Sequence, residues 1–209
     1  MTTTCGHDKY IRAHDAHDKE RERYANIFAR LPSFTHGRIS VMSIQHVTFQ
    51  FASRSDAPTI ASLSRDLIEE GLGWQYRTER IRELIGDAET VTLVARGAEL
   101  TIGFSIMTFG DERAHLVLLA VRPAYQRRGI ARRMTQWLIE SAATAGVASI
   151  HVELRVRNKA AYELYRSIGF AETLRLAGYY RGRETAIRMM RMLRKPGITV
   201  EPWRPPART

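Results

Sequence analysis

The chain has 209 residues, 44% hydrophobic and 26% charged, enough for one domain of ordinary size with tails and too few for two full domains. No apolar run approaches the roughly twenty residues that a membrane-crossing helix needs, and the N-terminal stretch has no apolar signal-peptide core, so a cytoplasmic protein without membrane contact is expected. The single cysteine, Cys5, excludes an internal disulfide and a cysteine-based metal cluster; the net charge of +10 is gathered in neither tail, which disfavours nucleic acid as a partner.

Residues 1–45 read as a polar, His-rich extension with one short helix around residues 20–31, stopped by Pro32. His7, His14 and His17 sit in a charged stretch with no packed shell, so they read as solvated and no metal is expected. Domain-like patterning begins at residue 46. Val47, Phe49 and Phe51 alternate with polar residues as a first strand. Asp56 then stands as an N-cap before Pro58, and Ile60, Leu63, Leu67 and Ile68 mark an amphipathic helix ending at Gly71. A loop carrying Trp74 and Tyr76 leads to a second helix, capped by Thr78 and bearing Ile81, Leu84 and Ile85. Strands at 91–96 and 100–108 flank a tight hairpin at Gly97.

The unbroken apolar run at 116–121 reads as a strand buried on both faces. Arg122 and Pro123 stop it, and Ile130, Met134, Trp137 and Leu138 then recur at helical spacing until Gly146. A strand at 149–156 follows, with Ile150, Val152 and Leu154 on one face and Ser149, His151, Glu153 and Arg155 on the other. Asn158 caps a further helix whose apolar stripe is Ala161, Leu164, Tyr165 and Ile168. Strands at 171–176 and 185–193 enclose a loop at 177–183, and residues 195–209 form a Pro-rich tail. The resulting order, β-α-α-β-β-β-α-β-α-β-β over residues 46–194, is a mixed α/β sheet domain.

Between strand and helix, Gln126-Arg127-Arg128-Gly129-Ile130-Ala131-Arg132 has the layout of a phosphate cradle. The unpaired amides of a first helical turn face one point, the helix dipole favours an anion there, and Gly129 lets the backbone come close. Arg127, Arg128, Arg132 and Arg133 add cationic groups around the same point.

This run resembles the acetyl-CoA pyrophosphate signature of GNAT-superfamily N-acetyltransferases, Q/R-x-x-G-x-G/A. The stretch from Asn158 to Phe170 resembles the second cofactor motif of the same superfamily. Val152-Glu153-Leu154-Arg155 through Asn158, Ala161 and Tyr165 is most similar to the RimI-like enzymes, which acetylate protein N-terminal α-amines, notably of a ribosomal protein. Tyr179-Tyr180 and Gly182-Arg183-Glu184 approach their terminal pattern, whereas Thr185, Ala131 and the Trp74 loop depart from it.

The resemblance implies a GNAT fold, acetyl-CoA as co-substrate and direct attack of a primary amine on the thioester in a ternary complex. It implies that backbone amides of Leu119, Ala120 and Val121 hold the pantetheine and polarise the thioester carbonyl, that Arg127, Arg128, Gly129, Ile130, Ala131 and Arg132 wrap the pyrophosphate, and that Asn158 meets the pantetheine arm. Glu153 resembles the general base and Tyr165 the acid, with Tyr179 and Tyr180 as substrate contacts; Trp74, in the loop that departs from the resemblance, is read as a substrate contact from its exposed-looking ring alone. His115 reads as a core or sheet-end histidine rather than a base. Freeing a lysine amine at neutral pH costs about 3.5 kcal/mol more than freeing an α-amine, which favours a protein N-terminus as acceptor. An unperturbed glutamate titrates near 4.3, so efficient base catalysis requires burial to raise Glu153. A small-molecule amine such as a polyamine or an antibiotic is the alternative acceptor. A non-catalytic acyl-CoA-binding or ribosome-binding module is the alternative from another class, and a homodimer is compatible with either.

Overall fold

The computed structural model describes residues 47–98 and 100–194. The expected helix at residues 20–31, Cys5, the tail histidines and the Pro-rich segment lie outside the described residues. The strands are β1 (Thr48–Phe51), β2 (Thr90–Arg96), β3 (Thr101–Phe109), β4 (Arg113–Val121), β5 (Ser149–Arg155), β6 (Ala171–Tyr180) and β7 (Glu184–Met192). The helices are α1 (Ala57–Leu67), α2 (Thr78–Gly86), α3 (Ile130–Thr144) and α4 (Lys159–Ser167). All seven strands join one sheet in the order β1-β2-β3-β4-β5-β7-β6.

The pairing of β4 with β5 is parallel, and α3 supplies the crossover that such a pair requires. It lasts for only three positions, Arg113 with Ser149, Ala114 with Ile150 and His115 with His151. Beyond them the two strands diverge and leave an open wedge in the middle of the sheet. This wedge corrects the expectation of a strand buried on both faces. β4 begins at Arg113, and within the expected 116–121 run Val117 and Leu119 are only half-buried.

Helices cover both faces. On one, Ile60 and Leu63 of α1 and Ile81 and Leu84 of α2 pack onto Val94, Phe104, Ile106 and Leu118. On the other, Leu138, Ile139 and Ala142 of α3 and Tyr165 of α4 pack onto Leu116, Ile150 and Val152. Ile60 and Ile81 are fully buried, and each such side chain contributes about 1.5–3 kcal/mol by leaving water.

Several local expectations shift by a few residues. α1 stops at Leu67, short of Gly71. Thr78 is the first residue of α2 rather than its cap, because Arg77 holds the extended N-cap geometry and no side chain caps that helix. Asp56 occupies the N-cap position of α1, but its carboxylate turns back to accept from Ser53 N at 2.8 Å and from Arg96 Nη2 at 2.5 Å. β6 runs on to Tyr180, which takes both tyrosines out of the expected loop and into a strand.

Candidate active site

A cavity of about 550 Å³ opens where β4 leaves β5. Gly129 is the N-cap of α3 with φ +78°, a left-handed conformation that glycine adopts without strain, and no side chain caps the helix. The first amides of α3 therefore lack intrahelical partners and remain available to an anion. Leu119, Ala120, Val121, Arg127, Gly129, Ile130, Ala131, Arg132 and Asn158 all line this cavity, as the sequence suggests. Arg128 does not; its guanidinium lies 5.3 Å from the ring centre of Tyr125, which is itself part of the wall. Arg132 Nη2 donates to Ser167 Oγ at 2.7 Å and so joins α3 to α4 across the cavity. Asn158 uses its side-chain carbonyl to cap α4, accepting from Ala161 N at 3.1 Å, and its NH2 has no partner among the described residues and can donate to a ligand. An unpaired helix start ringed by arginines suits the diphosphate of acetyl-CoA.

A second cavity, of about 360 Å³, adjoins the first. The two share Leu67, Leu119, Asn158, Ala161 and Tyr165 as wall residues. Tyr165 is 4% exposed, and burial pushes its hydroxyl above the usual phenol range, with Tyr180 adding to the shift. It therefore keeps its proton and has an O–H to donate. Tyr180 lines the second cavity and is pushed up to about 12, chiefly by burial.

Glu153 lies on the wall of the second cavity. His115 Nε2 stands 2.5 Å from its Oε2, and Arg188 Nε donates to its Oε1 at 2.7 Å. The hydrogen bond to His115, reinforced by Arg188, outweighs burial and brings the Glu153 carboxyl down to about 2. This corrects the requirement that burial raise it: the side chain is largely enclosed, but it is enclosed between the His115 ring and the Arg188 guanidinium. Of the two readings of His115 the core one fails, because its ring is the half-exposed partner of the cavity carboxylate.

Arg155, two residues along β5, donates Nη2 to the carbonyls of Ile68 at 3.1 Å and Glu70 at 2.7 Å. It thereby ties β5 to the chain leaving α1. Glu69, buried between Ile68 and Glu70 in sequence, accepts from Ser64 Oγ and from the amides of Gln75 and Tyr76, which fixes the 71–77 loop. Trp74 of that loop lines neither cavity. Its ring is held between Arg65 at 5.4 Å and Arg77 at 5.7 Å, and its indole N–H donates to Tyr76 O. Tyr179 is also outside both cavities, half-exposed and edge-on to Tyr180 at 5.0 Å. Sequence reasoning thus named His115 without placing it at the site, and missed Arg188 and Glu70. The polar alternation along β5 and the motif containing Glu153 and Arg155 were the signals that pointed toward this cluster.

Residues 60–170, more than half of the chain, match the Acetyltransferase (GNAT) family. Over 89 residues the chain is 40% identical to the [Ribosomal protein bS18]-alanine N-acetyltransferase of Escherichia coli strain K12, covering 41% of this chain and 60% of that protein. The enzyme of the same name from Haemophilus ducreyi is 34% identical over 124 residues, covering 54% of this chain and 86% of that protein. The crystal structure of the ribosomal-protein-S18-alanine N-acetyltransferase from Escherichia coli superposes with a TM-score of 0.64 at 26% identity, covering 74% of this chain and 98% of that one. The matched span runs from within α1 to the end of α4 and so contains the anion-binding turn, the β4–β5 wedge and Tyr165, and with these features in place the chain belongs to the Acetyltransferase (GNAT) family.

Proposed function

We propose that the chain transfers the acetyl group of acetyl-CoA to a protein N-terminal α-amine by direct attack within a ternary complex. The observation that carries this reading is the pair of adjoining cavities. One is walled by arginines and unpaired helix amides, the other carries a carboxylate, and Tyr165 stands on the wall of both. The similarity to enzymes named for acetylation of a ribosomal-protein alanine supports the α-amine as acceptor.

In this reading Arg127, Arg132 and the amides following Gly129 hold the diphosphate, and the edge of β4 freed by the wedge holds the pantetheine and polarises the thioester carbonyl. The acceptor nitrogen enters from the second cavity and forms the N–C bond as the C–S bond breaks. An ammonium has three protons, of which the product amide keeps one. One of the other two leaves before attack, with Glu153 as the acceptor facing it, directly or through one water, and the second leaves the nitrogen as the tetrahedral adduct collapses and ends on the departing sulfur, which leaves as the thiol. Tyr165 donates a hydrogen bond to the departing sulfur. Because its hydroxyl is shifted above the usual phenol range and a thiol titrates near 8.5, the phenol stabilises the nascent thiolate until that proton arrives, rather than surrendering its own outright.

The test is thiol release from acetyl-CoA with peptides bearing free N-termini, with N-terminally blocked lysine peptides and with spermidine. The reading expects the first class to turn over at least about tenfold faster. Glu153→Gln and Tyr165→Phe should each lower the rate by about 10²-fold or more. Equal or faster turnover of spermidine would assign the second cavity to small amines instead.

A further inference from the structure

The guanidinium of Arg155 on β5 reaches the far end of α1. That helix stops at Leu67, and the carbonyls at its end have no further turn to bond with. Arg155 Nη2 takes the place of that turn, donating to Ile68 O at 3.1 Å and to Glu70 O at 2.7 Å. A cation at a helix C-terminus is favoured by the helix dipole as well. The end of α1 is thus closed by a residue 87 positions from Ile68 in sequence.

The same guanidinium is held from two further strands. Its Nη1 lies 3.4 Å from Glu184 Oε2 on β7, and its central carbon lies 5.6 Å from the ring centre of Tyr180 on β6. Glu184 meets Arg157 Nε at 3.1 Å with its other oxygen. The Arg155 side chain is only 12% exposed, so a charge largely withdrawn from water is matched by a carboxylate and two carbonyls. Ile68, Glu70, Arg155 and Tyr180 all line the acceptor cavity, and none of them lines the cofactor cavity. Arg155 therefore joins the α1 side of the acceptor cavity to its β5 and β6 side.

Resting on the acceptor-site reading above, we propose that Arg155 is the positioning residue of the acceptor cavity, holding the end of α1 and the β5–β6 wall at the separation that binds a peptide N-terminus. It acts through Ile68, Glu70 and Tyr180 and not on the reacting atoms. The task calls for arginine: one nitrogen serves two carbonyls while another faces a carboxylate, which a planar fork does and a single ammonium does not. Glu153 is held by His115 and Arg188 instead, so the carboxylate does not depend on Arg155 for its place. The anion-binding turn is likewise independent, since it is built at the start of α3. Loss of Arg155 should therefore be felt in acceptor binding before it is felt in cofactor binding or in the chemical step.

The experiment measures steady-state acetylation of one N-terminal peptide by the full chain and by its Arg155→Ala and Arg155→Lys variants, with acetyl-CoA affinity read by calorimetry and urea midpoints alongside. Both variants should raise the peptide KM about tenfold or more, with kcat within about threefold and acetyl-CoA affinity within about twofold of the parent. Guanidinium ion at millimolar concentration should lower the peptide KM of Arg155→Ala and leave that of the parent unchanged. Arg155→Lys keeps a cation on a long stem, so it carries the comparison if Arg155→Ala does not fold. A peptide KM within about twofold of the parent in either variant overturns the positioning role and leaves the acceptor reading standing. Acetyl-CoA affinity that falls as far as the peptide KM rises overturns it too, because the arginine would then support the whole fold. So does a failure of guanidinium to restore Arg155→Ala in any measure. A wild-type chain that acetylates no N-terminal peptide overturns the acceptor reading, and this role with it.

Discussion

Arg188 Nε donates to Glu153 Oε1 at 2.7 Å between residues that are direct register partners of the antiparallel β5–β7 pair. The bond is set by the sheet itself, and together with His115 it keeps Glu153 ionised down to about 2. A carboxyl whose folded pKa is depressed adds stability above the ordinary carboxylate range and loses it as pH falls toward the folded value. The chain should therefore lose about 2 kcal/mol through this group between about pH 4.5 and about pH 2. Glu153→Gln should not show that component. Urea midpoints of the two proteins across the window will show it as converging curves, and parallel curves would mean that the cationic neighbours do not hold the charge.

Gly129 and Arg127 are both left-handed, at φ +78° and φ +61°, on the same anion-binding turn. They should respond oppositely to substitution. Gly129→Ala places a Cβ on a backbone that disfavours it and intrudes on the diphosphate, so it should cost about 1 kcal/mol of stability and about tenfold in acetyl-CoA affinity. Arg127→Gly relieves strain of about 1 kcal/mol, partly offset by a looser unfolded chain, while removing a cation from the cavity wall. It should leave the urea midpoint unchanged or higher and still weaken acetyl-CoA binding by calorimetry. If Arg127→Gly binds acetyl-CoA as tightly as the parent, the guanidinium does not meet the diphosphate.

These two residues also indicate what was legible without coordinates. The anion turn is local: an apolar strand, a Pro stop, a Gly among arginines and a helical stripe fall within about twenty residues, and all but Arg128 and Arg133 of its expected residues line the cavity. The order of elements was legible for the same reason, since periodicity is a short-range signal. The Glu153 environment was not. His115 lies 38 residues away and Arg188 lies 35 residues away, and strand register, which no local pattern encodes, brings them together. The Trp74 loop misled for a related reason: an exposed-looking aromatic was taken to await a ligand, but Arg65 and Arg77 already flank the ring.

Asp56 joins the start of α1 to the sheet. It is 5% exposed and accepts from Ser53 N, Ser53 Oγ and Arg96 Nη2, which lies forty residues on. Asp56→Ala removes all three bonds at once. Breaking a fully buried ion pair costs about 3–5 kcal/mol, but Arg96 is 34% exposed and can regain water, so about 2–3 kcal/mol is expected. Asp56→Asn keeps an acceptor for the backbone and should cost less. A double-mutant cycle with Arg96→Met should give a coupling of about 1 kcal/mol or more. Additive losses would mean that Asp56 acts only on the turn.

Gly73 and Arg181 join the two loops that border the acceptor cavity. Gly73 has φ +72°, and a Cβ built there would lie 1.7 Å from Arg181 Nη2. Gly73→Ala therefore meets two penalties, a left-handed backbone worth about 1 kcal/mol and a clash that only the arginine can relieve. The clash falls on the far end of a flexible side chain, so it should displace Arg181 rather than unfold the loop. Gly73→Ala should accordingly raise the peptide KM severalfold with little effect on acetyl-CoA affinity, since Gly73 is no part of the cofactor cavity wall. Adding Arg181→Ala removes the clash but not the strain, and should recover only the part of the stability loss that steric overlap caused. Identical urea midpoints for Gly73→Ala and the double variant would show that the guanidinium yields at no cost and that the loops are joined by other contacts, among which Tyr76 beside Tyr179 is the next candidate.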